Sequence, residues 1–121
     1  MLKYIAGMAL VVTALSPFFT VNSYAGGQQC GGASWYGPGF HGNKTASGQR
    51  YNQNAMTAAH KSLPFGTVLK VVDQRTGKSI RVTINDRGPY VKGRIIDLSK
   101  EAATQLGFRN RGVTKVCITQ V

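Results

Sequence analysis

Four acids, Asp73, Asp86, Asp97 and Glu101, and two histidines, His41 and His60, hold the acid–base chemistry open to this 121-residue chain. Asp86 stands out. It follows a run in which Ile80, Val82 and Ile84 alternate with Ser79, Arg81 and Thr83, and it sits in Asn85-Asp86-Arg87-Gly88-Pro89, a dense turn signature. A carboxylate there is either held by turn amides so that it faces a cleft, or it uses its oxygens to organise its own bend. His60 follows a short β-prone stretch and precedes Lys61. Its imidazole can act as a general acid or base near neutral pH, or serve as a satisfied polar group at a strand end. Asp97, between Ile96 and Leu98, either caps a helix or points into a cleft. Asp73 and Glu101 read as surface residues, one in a hairpin connection and one in the first turn of a helix, and His41 as a solvated loop residue. Two histidines with no glutamate at helical spacing, and two cysteines in all, give no metal site, and no cofactor is implied.

Aromatic side chains stand near these groups. Trp35 and Tyr36 are adjacent on a β-prone run, so one faces in and the other out. Tyr51 and Tyr90 flank the loops that would border a cleft. Such rings either stack on sugars or pack in the core.

The elements that must position these residues are short. Strands are expected at Ala33–Tyr36, Met56–Ala59, Val68–Val72, Ile80–Ile84, Arg94–Leu98 and Val113–Val121. Pro64 makes Leu63–Gly66 a turn, and Asp73–Gly77 reads as a hairpin connection. Ser99 can cap a helix that runs to Leu106, with Glu101 in its first turn and Gly107 closing it. Residues 37–54 are dense in glycine and polar turn formers and read as a long loop. Six short strands with one small helix point to an all-β fold, a closed or nearly closed barrel. A long loop in so small a domain is usually functional.

Length and composition bound the rest. The chain suffices for one small domain, which excludes a multidomain enzyme or a dinucleotide-binding fold of normal size. At 42% hydrophobic residues it is too apolar for a disordered protein. Residues 1–25 differ from the remainder: Lys3 is the only Lys, Arg, Asp or Glu before Lys44, and an apolar run from Tyr4 to Leu15 breaks at Ser16-Pro17. That run is too short to span a bilayer, which takes about 20 apolar residues. Ser23 and Ala25 form a small-x-small pattern, so a secretory signal cleaved before Gly26 is expected. Cys30 lacks the leucine that a lipid-attachment motif would place three residues before it, so no lipid anchor is expected. Residues 26–32 read as a flexible lead-in and 33–121 as the folded domain. In an oxidising compartment Cys30 and Cys117, near the two ends of that domain, are expected to pair. Fifteen Lys and Arg against four acids give +11, with the basic residues scattered rather than in blocks. Outside the cytoplasm this charge suits an anionic envelope surface rather than nucleic acid.

Five ordered segments carry a resemblance: Ala33-Ser34-Trp35-Tyr36-Gly37, Thr45 to Tyr51, Thr57 to Thr67, Asn85 to Tyr90, and Gly93 to Ser99. Together they are similar to the rare lipoprotein A family of peptidoglycan lytic transglycosylases, in order and across nearly all of residues 33–121. The resemblance implies a six-stranded double-psi β-barrel with one short helix. It implies endolytic cleavage of the bond between N-acetylmuramic acid and N-acetylglucosamine in glycan strands, preferably strands free of stem peptides. In that reaction the muramyl C6 hydroxyl attacks its own C1 and leaves a 1,6-anhydro ring. Asp86 and His60 fall on positions associated with activity, Asp86 as the acid that then turns base, His60 positioning it or the sugar. Arg87 would bind a lactyl carboxylate or hold Asp86 ionised. The family motif has Glu where this chain has Gln49, whose amide can hydrogen-bond but cannot exchange a proton. The alternative reading is therefore a non-catalytic, expansin-like module that binds wall glycan. Expansins and related endoglucanases share the barrel, and in that comparison Asp97 lands on the cleft acid. The combined expectation is a monomeric, free-standing barrel in the periplasm or outside the cell, with Asp86, His60 and Asp97 as catalytic candidates and Gln49, Arg87, Trp35, Tyr36, Tyr51 and Tyr90 as substrate contacts.

Overall fold

Alternation of apolar and polar side chains sets most of the strands. The computed structural model describes residues 27–121, and the expected signal segment lies outside them. In β4 (Ser79–Asp86), Val82 and Ile84 are buried while Ser79 and Arg81 are exposed. In β3 (Val68–Asp73) Leu69 and Val71 are buried, and in β6 (Val113–Gln120) Val116 and Ile118 are. These faces, with Ile96 and Leu98 of β5 (Arg94–Leu98), make one core. The remaining strands are β1 (Gln28–Trp35) and β2 (Thr57–Ala59).

The six strands close in the order β1-β5-β2-β4-β3-β6, with β6 pairing back to β1. The β1–β5 and β2–β4 pairs are parallel and the other four antiparallel. This is the expected double-psi barrel, and closure leaves no free sheet edge. Helix α1 (Lys100–Leu106) packs Ala102, Ala103 and Leu106 into the core. The Ser99 hydroxyl accepts from the Ala102 amide at 3.1 Å, and Gly107 ends the helix at φ 97°, a conformation that other residues adopt only with strain.

Two expectations are corrected. Of the expected flexible lead-in, residues 28–32 are strand, because β1 begins at Gln28 and pairs with β6 from Gln28↔Thr119 to Ser34↔Val113. Backbone pairing needs no apolar side chains, so Gln and Gly hid this strand. Its glycines have a role: a Cβ on Gly31 would lie 2.8 Å from Ile95 Cγ2, and one on Gly32 would lie 2.9 Å from the Gly93 carbonyl. Cys30 faces Cys117 within this ladder, and the two form a disulfide. Asp73 is fully buried rather than on the surface. Its Oδ1 accepts from the Arg75 amide at 2.7 Å and its Oδ2 from the Thr114 hydroxyl at 3.0 Å, which ties the β3–β4 turn to β6. The β1–β2 connection is the expected long loop, and it is held by its own hydrogen bonds. Lys44 and Arg50 form a bridge, the Tyr51 amide donates to the Asn43 carbonyl at 2.7 Å, and His41 Nδ1 accepts from the Gln53 amide at 3.1 Å.

Candidate active site

Four adjacent strands place four residues in one row. Ser34 of β1 is opposite Asp97 of β5, Asp97 is opposite Ala59 of β2, and Ala59 is opposite Asp86 of β4. The two acids thus stand on the strands either side of Ala59. At about 4.8 Å per strand, their Cα atoms are about 10 Å apart. The Ala59 methyl, 2% exposed, forms a low floor between them. Bulges tune the row. Between Ala58 and Ala59 the register skips Asn85, and between Gly32 and Ala33 it skips Ile95. A bulge re-aims the side chains beside it.

Above the row opens a cleft of about 500 Å³. Ser34, Ala59, Asp86, Arg87, Arg94 and Asp97 line it from the barrel, with Trp35 at the end of β1 and Tyr36 just beyond it. Phe40, Asn43, Lys44, Thr45 and Tyr51 line it from the long connection. Asp86 is half-buried and oriented by three donors: the Tyr36 hydroxyl at 2.6 Å on Oδ2, and the amides of Ala46 at 2.8 Å and Arg87 at 2.9 Å on Oδ1. Asp97 Oδ1 accepts from the Ser34 hydroxyl, and its Oδ2 makes no hydrogen bond among the described residues. Burial first, then the hydrogen bond to Asp86, pushes the Tyr36 phenol well above its usual range, so it remains a donor at any working pH. Tyr36 stacks on Tyr51 with ring centroids 4.3 Å apart and meets Phe40 edge-on at 6.2 Å. Tyr51 is itself buried, and burial raises its phenol too. Trp35 donates from Nε1 to the Arg109 carbonyl at 3.0 Å and packs on the core.

The imidazole of His60 does not join this cleft. It is buried, and it lines a separate cavity of about 430 Å³ with Gln29, Leu63, Leu69 and Ile118. Its Nδ1 accepts from the amides of Ser62 and Leu63, both at 3.1 Å. The ring proton is therefore on Nε2, 3.0 Å from Gln29 Oε1, which accepts it. Burial, then the charges of Arg87 and Lys61, lowers the pKa and favours this neutral form. Only the main chain of His60 reaches the site. Its amide donates to the Asp86 carbonyl at 3.2 Å, and its carbonyl accepts from Arg87 Nη1 at 3.2 Å. Arg87 is otherwise stacked on Phe65, 4.1 Å from the ring centroid. Gln49 is exposed, and its Oε1 accepts from Asn85 Nδ2 at 3.1 Å, beside Asp86 rather than in the cleft. Tyr90, 77% exposed, does not line the cleft. Ser34, Phe40 and Arg94 do, and the sequence reading did not single them out.

A family model described as lytic transglycolase matches residues 28–118. The chain belongs to that family. The endolytic peptidoglycan transglycosylase RlpA of Campylobacter jejuni is 57% identical over 84 residues, which is 69% of this chain and 30% of the relative. The protein of the same name from Neisseria meningitidis serogroup A is 52% identical over 100 residues, 83% of this chain and 42% of the relative. The chain thus spans less than half the length of these curated relatives. Among solved structures, an expansin from Clavibacter michiganensis superposes with a TM-score of 0.61 at 27% identity, covering 78% of this chain and 50% of that one. In this family member the barrel, the row of four and the cleft above it all lie within the matched residues.

Proposed function

We propose that the chain is an exported lytic transglycosylase that cuts the MurNAc–GlcNAc bonds of peptidoglycan glycan strands within the chain, leaving a 1,6-anhydro-muramyl end. The observation that carries this is the placement of Asp86 and Asp97 on the strands flanking Ala59, under one open cleft walled by aromatic rings. Asp86 gives a proton to the glycosidic oxygen as the muramyl C1–O bond breaks. The C6 hydroxyl of the same ring attacks C1 and returns its proton to Asp86, so no water is consumed. Because the nucleophile belongs to the substrate, the second carboxylate need not hold water or form a glycosyl-enzyme. Asp97, with one oxygen left unbonded, faces the positive charge that develops at C1 and is the second candidate for the acid. Tyr36 and the Ala46 amide orient Asp86. The main chain of His60 positions the Asp86-Arg87 corner. Tyr36, Trp35 and Phe40 offer faces for sugar rings. The net charge, +10 of the full +11 once Lys3 leaves with the signal segment, draws the protein, as a monomer, to anionic envelope polymers.

A second reading is favoured by Gln49, whose amide is bonded to Asn85 and cannot exchange a proton. In that case the cleft binds wall glycan without cutting it. Incubation with purified peptide-free glycan, followed by mass spectrometry, separates the two. Anhydro-muramyl fragments that vanish with Asp86→Asn support the enzyme. A wild-type protein that sediments with sacculi yet releases no fragment overturns it in favour of the binder.

A further inference from the structure

Arg94 is the least satisfied charged group in the cleft. Its Nε is buried with no hydrogen-bond partner, the only such side-chain atom among the described residues. Arg94 forms no ion pair there, although Asp97 lines the same cleft. The other arginines near acids are used: Arg75 pairs with Asp73 at 3.8 Å, and Arg87 is bonded to main-chain carbonyls and stacked on Phe65. The fold also makes room for Arg94. Strict alternation along β5 would put Arg94 and Asp97 on opposite faces. The bulge that skips Ile95 brings both to the cleft. The Arg94 stem lies over Gly32, where an added Cβ would sit 3.4 Å from Arg94 Cγ. A buried guanidinium N–H without a partner is costly, and here it borders the cleft in which a ligand would sit.

We propose that Arg94 is a specificity-determining residue that receives the lactyl carboxylate of a muramyl residue carrying no stem peptide. This rests on the reading of the cleft as a glycan site. The sugars of such a strand otherwise offer only neutral hydroxyl and acetamido groups. The lactyl group is a carboxylate where the peptide is absent and a neutral amide where it is attached. A guanidinium meets a carboxylate through two parallel charge-assisted hydrogen bonds that an amide cannot match. Lys44, exposed on the loop side of the cleft, supplies positive field without that fork.

The test is binding, measured by calorimetric titration of two GlcNAc–MurNAc oligosaccharides that differ only in a free lactyl carboxylate or its carboxamide. Wild-type protein is expected to favour the carboxylate by about 10-fold or more. Arg94→Gln should erase that preference by weakening the carboxylate form alone, and Arg94→Lys should keep part of it. The melting temperature of Arg94→Gln should hold or rise, since no protein partner is lost. Equal wild-type affinity for both probes, or a preference that survives Arg94→Gln, overturns the assignment. So does a variant that melts lower and loses both probes alike. Binding of neither probe overturns the glycan reading of the cleft itself. Discrimination by a protein that releases no anhydro fragment upholds Arg94 while removing the enzyme.

Discussion

The barrel carries two cavities of similar size, about 500 Å³ around Asp86 and Asp97 and about 430 Å³ around His60. They differ in whether their ionisable groups are already used. In the His60 cavity both ring nitrogens are occupied, and the rest of the lining is neutral: glycine, glutamine and serine beside Leu63, Leu69 and Ile118. In the acid cleft Asp97 keeps an oxygen and Arg94 a nitrogen without a protein partner, and aromatic rings form a wall. A titratable residue type therefore does not by itself mark a site. An unspent charged group facing open volume is the better mark.

The largest expected effect breaks the comparison at the acid. Asp86→Asn should lower the rate of anhydro-fragment release by about 10²–10⁴-fold, the usual worth of a positioned acid–base group. The fold should survive, as thermal melting followed by circular dichroism would show. Retention of full rate would move the chemistry to Asp97.

Reduction of the Cys30–Cys117 bridge, whose cysteines are 87 residues apart in sequence, should remove about 4.6 kcal/mol of stability by chain entropy. Gln28, Gln29 and Ile118, neighbours of the bridge on the same two strands, line the His60 cavity. Hydrogen exchange should accordingly rise there before it rises at Ala59. Equal loosening of both regions would deny the contrast.

Tyr36→Phe removes the phenol that donates to Asp86. A hydrogen bond to a charged group contributes about 1.5–3 kcal/mol, so a rate loss of about 10-fold or more is expected, with little change in melting temperature.

The smallest effect is a pH dependence of stability. His60 has its pKa lowered from 6.5 by burial, so the unfolded chain takes up a proton before the folded one does. Its contribution to stability is complete above pH 6.5 and is lost as pH falls through the depressed folded value. His60→Ala should flatten that part of the melting-temperature profile. It should also lower stability at neutral pH by about 1–3 kcal/mol, because the amides of Ser62 and Leu63 lose their acceptor.

Much was legible in the residues. The alternation around Val82 and Ile84 marked β4, Ser99 and Gly107 bounded the helix, and ordered motifs identified the barrel and its family. The cysteine pairing followed from two thiols and an expected oxidising compartment. Strand β1 was only half visible, because its Gln and Gly residues pair through backbone alone. Asp73 was misplaced because its environment comes from another strand, through Thr114. Local sequence could not choose between the two readings of His60, because its partner Gln29 also comes from another strand.

Periodicity and capping act within a few residues, so the chain by itself determined most of the segments that become strands, where the helix begins and ends, and which side chains can do chemistry. Tertiary structure alone decided that β2 lies between β5 and β4, and so that Ala59 separates Asp97 from Asp86. It alone decided, through two bulges, which way Arg94 and Asp86 face. Strand order and bulge position depend on closing a ring of distant segments, and that closure leaves no local periodicity in the residues themselves.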